Sequence, residues 1–170
     1  MADILSNITS KNGEVVGVLT INNPQFATYL IVASLLILKM YGLILLTIFH
    51  RQKNKVFISE EDTKMRGDGG SVGTHPDVER VRRAFQNDLE NIPAFLFISL
   101  AYLFVGVANW AVHLLFYLFL IARTLHSLVY ALYVIPQPAR AICFCLGLLI
   151  NCYLSFHVLV YGFFTGYLGK

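Results

Sequence analysis

Residues 110–135 read WAVHLLFYLFLIARTLHSLVYALYVI, twenty-six positions with Arg123 as the one formal charge. A helix rises about 1.5 Å per residue and needs roughly 20 apolar positions to cross a hydrocarbon core of about 30 Å. This stretch is long enough, so it predicts a membrane-spanning helix. Working outward, residues 141–168 carry no charge at all, and residues 26–49 are interrupted only by Lys39. The remaining uncharged run, 92–107, is too short to span alone, so its helix must reach back into the polar run that begins near Thr74 or His75. The expectation is an all-α, integral membrane, up-and-down four-helix bundle forming a single domain over 1–170. Its helices fall at about 25–50, 75–107, 110–135 and 139–168, with a connection over 51–74.

Composition supports lipid as the main solvent. Apolar residues make up 56% of the chain and charged residues only 14%, a balance foreign to soluble domains of this size. All ten acidic residues lie at or before Glu90, and beyond it the basic groups are Arg123, Arg140 and Lys170. Cys143, Cys145 and Cys152 lie in the last apolar segment without the spacing of a zinc site, so they read as small packing residues and no metal is expected. Met1–Val18 lacks the layout of a cleaved secretory signal. Asn7-Ile8-Thr9 is a glycosylation sequon, a triplet common by chance. The run Arg66-Gly67-Asp68-Gly69-Gly70-Ser71-Val72-Gly73 marks a flexible loop but has no Lys-Ser or Lys-Thr pair, so it is not a phosphate loop. No nucleic-acid partner is expected.

Basic residues gather in and after the first connection: Arg51, Lys53, Lys55, Lys64, Arg66, Arg80, Arg82 and Arg83. The Gly106–Asn109 turn has none. The excess of Lys and Arg places the 51–74 connection in the cytosol, together with Pro136-Gln137-Pro138-Ala139-Arg140. Short connections on either side of the third helix predict antiparallel neighbours.

The polar chemistry concentrates in Val78-Glu79-Arg80-Val81-Arg82-Arg83-Ala84-Phe85-Gln86-Asn87-Asp88-Leu89-Glu90-Asn91. At helical spacing Arg80, Arg83, Asn87 and Glu90 share a face. Lipid headgroups would account for Arg80 and Arg82, whereas Asn87 and Glu90 stand where hydrocarbon begins and need a partner or a polar cavity. In the third helix Arg123, His126 and Tyr130 also fall on one face, and an arginine inside a membrane marks a binding function by default. The purely structural alternative is an Arg123–Glu90 ion pair between helices, with Lys39 serving in the same way. Several guanidinium groups, a carboxylate, amides and phenols at one membrane face suit a small, multiply charged ligand. Glutathione, with two carboxylates, an amine and a thiol, is such a molecule.

The run from Val78 to Asn91 closely resembles the signature of the membrane-associated proteins in eicosanoid and glutathione metabolism, above all their microsomal glutathione transferases. Lys39-Met40, Asn54-Lys55-Val56-Phe57, Glu61-Asp62, Arg123 with His126 and Tyr130, and Pro136-Gln137-Pro138 followed by Arg140 extend the resemblance over most of the chain. It implies a homotrimer with glutathione as co-substrate between subunits near the cytosolic side, in the endoplasmic reticulum membrane or alternatively the mitochondrial outer membrane. It further implies that Arg51, Arg82, Arg83, Asn87, Glu90, His126 and Tyr130 contact glutathione and that Arg140 lies near its sulfur. Arg123 joins the binding set from its intramembrane position.

The implied activity is conjugation of the glutathione thiolate to hydrophobic electrophiles, with lipid hydroperoxides as further substrates and membrane lipid as the surroundings. Arg140 is the expected activator of the sulfur and Tyr130 the second. Relatives that resemble prostaglandin E synthase follow the arginine with Ser and carry a Tyr three residues beyond that Ser, whereas here Arg140-Ala141 leads to Phe144. Relatives with Arg-Ala-His differ at Phe85. A prostaglandin E synthase-like isomerase and a non-catalytic lipid-binding or scaffolding bundle are the alternatives.

Overall fold

Asn23 opens the first helix: its side-chain oxygen accepts from the Gln25 N–H at 3.0 Å, and Pro24, which lacks an N–H to satisfy, takes the first helical position. The computed structural model describes residues 17–64, 69–133 and 135–169. The Asn7 sequon, and Arg66, Gly67 and Asp68 of the glycine-rich loop, lie outside them. Helix α1 spans Pro24–Asn54 and ends where Lys55 turns left-handed at φ 53°. Its 31 residues make about 46 Å at 1.5 Å each, more than a hydrocarbon core, so its basic end projects beyond the lipid.

The connection after α1 has structure of its own. Strand β1 (Val56–Phe57) pairs in parallel with β2 (Ser71–Val72), and the short helix α2 (Glu60–Lys64) lies between them. Two-residue strands are too short to show an alternating pattern, which is why the sequence reads as loop throughout.

Helix α3 spans Pro76–Tyr102, α4 spans Asn109–Ser127 and runs on as a π turn over Leu128–Leu132, and α5 spans Ala139–Phe163 with a π turn over Phe164–Leu168. Helix α3 stops short of the expected residue 107. Residues 103–105 wind into tighter turns, each N–H bonding three residues back, before Gly106 at φ 76° reverses the chain. Helices α1, α4 and α5 are each long and apolar enough to cross a membrane; α3 is not, because its first half holds the charged run. The protein is therefore a multi-pass, helical membrane protein.

The chain runs up and down, but its packing is not simply sequential. Helix α3 packs chiefly on α1 and α5, as does α4, so α3 and α4 face each other across the bundle although a short turn joins them. One end of the interior is apolar: Val32, Leu36, Ile92, Phe116, Ile150 and Leu154 surround Phe95, which stacks on Phe119 with ring centroids 3.8 Å apart. Leu43, Val81, Ala84 and Ala131 form a smaller cluster at the other end. Between these clusters lies a charged layer, described below. Outward-facing leucines such as Leu38, Leu45 and Leu149 suit lipid, where close packing and interior hydrogen bonds, not water exclusion, hold helices together. Cys145 and Cys152 also face outward, and Cys143 is half-buried, so they do not pack inside as their composition suggested.

Candidate functional site

Asp88 is the centre of the charged layer. It falls on the row Val81, Ala84, Asp88, Ile92, Phe95, whose spacing of three and four residues is the buried stripe of α3, and it has no exposed surface. One carboxylate oxygen accepts from Arg123 Nη2 at 2.6 Å; the other accepts from Lys39 Nζ at 2.5 Å and from the Ser127 hydroxyl at 3.1 Å. Arg123 is likewise fully buried. Helix α5 contributes Gly147, where an added Cβ would stand 3.2 Å from Arg123 Cδ, so a larger residue would push the guanidinium aside. All four long helices meet at this ion cluster.

That arrangement replaces the Arg123–Glu90 pair of the structural alternative with an Arg123–Asp88 pair. Glu90 stands two residues from Asp88, hence about 200° round the helix, and lies exposed with its carboxylate accepting from Gln86 at 3.3 Å. Arg123 has no exposed surface and stands behind Asn87: its Nη2 also donates to Asn87 Oδ1 at 2.6 Å. Lys39 is structural, as the alternative reading held, but its partner is Asp88. The missed residue, Asp88, carried a readable signal, since a carboxylate on an otherwise apolar helical row must find a cation or lose its charge.

The open flank beside this core holds a second cluster. Arg83 Nε donates to the Tyr130 hydroxyl at 3.2 Å, and the Arg140 guanidinium carbon lies 4.8 Å from the centre of the Tyr130 ring, within cation–π range. The His126 ring stands 5.7 Å from that of Tyr130, though His126 itself is buried. The π turn from Leu128 shifts the register of the helix where it carries Tyr130, a distortion that recurs at functional sites.

Charge pairing separates the arginines of α3. Arg80 donates to Asp77 and Arg82 to Glu79, each at 2.8 Å and three residues apart. The hydrogen bond from Arg80 holds the Asp77 carboxyl below its ordinary range, and the Thr74 hydroxyl followed by Arg82 does the same for Glu79. Arg83 forms no ion pair among the described residues. Nor do Arg51 and Arg140, and Arg51 Nη1 and Arg140 Nε are both shielded from solvent without an acceptor. Guanidinium groups placed this way fit anionic oxygen or sulfur. Arg51 and Arg82 line a different cleft, of about 310 Å³, between α1, α3 and the β1 end, walled by Ile44, Ile48, Ile58 and Phe85. Within one chain, then, Arg83 and Arg140 meet at Tyr130, Asn87 and Glu90 continue the Arg83 face of α3, Arg123 backs Asn87 and His126 backs Tyr130, and Arg51 and Arg82 line the separate cleft.

The fold and site define a helical membrane bundle with a buried ion cluster and an arginine-rich flank. The model of the MAPEG family matches residues 29–160, and the chain belongs to that family. It is 38% identical over 138 residues to microsomal glutathione S-transferase 1 of Homo sapiens, covering 79% of this chain and 86% of that one. The Sus scrofa protein of that name is 37% identical over 141 residues, covering 81% of this chain and 90% of the relative. Prostaglandin E synthase of Homo sapiens is 33% identical over 129 residues, covering 76% and 84% respectively.

Proposed function

We propose that the protein is a membrane-bound glutathione transferase that conjugates the glutathione thiolate to hydrophobic electrophiles drawn from the lipid, with glutathione-dependent reduction of lipid hydroperoxides as a companion activity. The observation that carries this reading is Tyr130 set between Arg83 and Arg140, with Asn87 one helical turn from Arg83. The likeness to microsomal glutathione S-transferase 1 supports it. Arg83 and Asn87 bind glutathione oxygens, Glu90 receives its ammonium group, and Arg51 and Arg82 reach it from a neighbouring copy in a homotrimer. A second copy would also cover the polar stripe of Arg83, Asn87 and Glu90, whose exposed charges at Arg83 and Glu90 are costly against lipid. His126 supports Tyr130 through ring contact. Arg140 stabilises the sulfur anion, and Tyr130, whose oxygen accepts from Arg83, keeps its own proton free to donate to sulfur.

In the conjugation step the thiol proton leaves to solvent, the thiolate forms a carbon–sulfur bond, and the electrophile's leaving group departs with the bonding pair. The test is turnover by purified protein with a chlorinated dinitrobenzene and, separately, with a lipid hydroperoxide. Thioether formation well above the uncatalysed rate is expected. Glutathione binding without turnover of either would favour the non-catalytic reading, and isomerisation of a prostaglandin endoperoxide alone would favour the likeness to prostaglandin E synthase.

The same reading puts the 51–74 connection in the cytosol, the Gly106–Asn109 turn in the lumen, and the protein in the endoplasmic reticulum membrane. In sealed vesicles with the cytosolic side out, and with the three native cysteines replaced by alanine, an impermeant thiol reagent is expected to label Ser71→Cys and spare Asn109→Cys. The opposite pattern would invert the topology and remove the site from the cytosolic face.

A further inference from the structure

We propose that the buried Lys39–Asp88–Arg123 cluster is a positioning device that turns the Asn87 side chain so that its amide nitrogen faces the ligand, making Asn87 a reader of a hydrogen-bond acceptor such as a carboxylate. The inference rests on the glutathione site proposed above and goes further, because it assigns a role to an ion cluster whose Asp88 and Arg123 have no exposed surface. A guanidinium has five N–H donors and no acceptor, so the Asn87 atom 2.6 Å from Arg123 Nη2 must be the side-chain oxygen. The amide nitrogen is then left on the partly exposed side of the residue, where it makes no hydrogen bond among the described residues.

The clamp is tied through one guanidinium nitrogen, Nη2, while Arg123 Nε and Nη1 have no hydrogen-bond partner among the described residues. Arg123 Nη2 is shared between Asn87 and Asp88, and Asp88 is held from its other oxygen by Lys39 and Ser127. Gly147 admits Arg123 only because it has no side chain. The main chain of Asn87 is tied as well, since its carbonyl accepts from Asn91 Nδ2 at 2.8 Å, and the Asn91 carbonyl accepts from Asn151 of α5 at 3.2 Å. A free asparagine could present either its oxygen or its nitrogen to a ligand at almost equal cost. Here the core has made that choice, so Asn87 and the neighbouring Arg83, four residues before it, offer donors only. A ligand group that donates, such as a carboxamide nitrogen, is disfavoured at this point, and a carboxylate is selected.

The test compares affinities of purified protein for reduced glutathione and for its two monoamides, one at each carboxyl group. Wild type is expected to bind glutathione at least about tenfold more tightly than one of the two amides, the factor a charge-assisted hydrogen bond supplies. In Asn87→Asp one carboxylate oxygen keeps the Arg123 contact and the other meets the ligand, so that preference should vanish or reverse in favour of the same amide. This variant leaves the buried charges untouched and should fold. In Arg123→Lys, which keeps the charge but cannot reach both partners, the preference should fall to about threefold or less as the amide regains both orientations. A purely structural network would lower the stability or affinity of Arg123→Lys but leave its ratio at the wild-type value, and that outcome overturns the proposal. An unchanged ratio in Asn87→Asp overturns it independently. Failure of wild type to bind glutathione would instead bring down the ligand reading beneath it.

Discussion

Replacing Asp88 by Leu is expected to destabilise the protein by about 3–5 kcal/mol, the usual cost of removing one partner from a buried ion cluster. Lys39 and Arg123 would then face each other in the middle of the bundle with no carboxylate between them. Each intramembrane cation costs on the order of 3 kcal/mol when unpaired, and Arg123 has no exposed surface through which to escape. The measurement is reversible unfolding in mixed micelles by titration with a denaturing detergent, followed by helix content and Tyr fluorescence. The sharper half of the prediction is the triple variant Lys39→Met, Asp88→Leu, Arg123→Met. It removes every charge together and should recover most of the loss, because well-packed apolar groups often replace a buried ion cluster without penalty. If the triple variant is as unstable as Asp88→Leu alone, the cluster contributes through its hydrogen bonds and not by neutralising charge. The triple variant should also lose most of the preference for glutathione over the monoamide, however stable it is, since nothing then orients Asn87.

Arg140→Leu is expected to lower turnover near pH 7 by about twentyfold while changing glutathione affinity much less. A free thiol has a pKa of about 8.5, so about 3% is thiolate at pH 7; a bound thiol brought to about 6.5 would be roughly three-quarters ionised. The sign follows from charge. A guanidinium beside the sulfur favours the anion and lowers the thiol pKa, so its loss raises the pKa and shifts the activity profile to higher pH. The ultraviolet absorbance of bound thiolate should fall in step, and turnover should climb back as pH rises toward 8.5. Should turnover drop while the thiolate signal and the pH profile stay in place, Arg140 positions the substrate and the Tyr130 hydroxyl, already accepting from Arg83, becomes the group that stabilises sulfur.

Much was legible in the chain itself. Long uncharged runs around Lys39 and Arg123, and the confinement of acidic residues to the first 90 positions, determined a multi-pass helical membrane protein, because a bilayer leaves few choices for a backbone that must satisfy its own hydrogen bonds. The stretch from Val78 to Asn91 located the polar flank, since spacing along a helix dictates which side chains share a face. Periodicity says which residues lie together on one helix, but not which helix stands opposite. Asp88 and Glu90 are both acidic and two positions apart, and the spacing of Arg123 is compatible with either. Only the arrangement in which α3 faces α4 across the bundle, with Gly147 opening space from α5, decided that Arg123 and Lys39 close on Asp88. The same arrangement left Glu90 outside and turned Arg123 from a ligand contact into the support behind Asn87, because a pairing between distant segments is set by three-dimensional packing and has no period in the sequence.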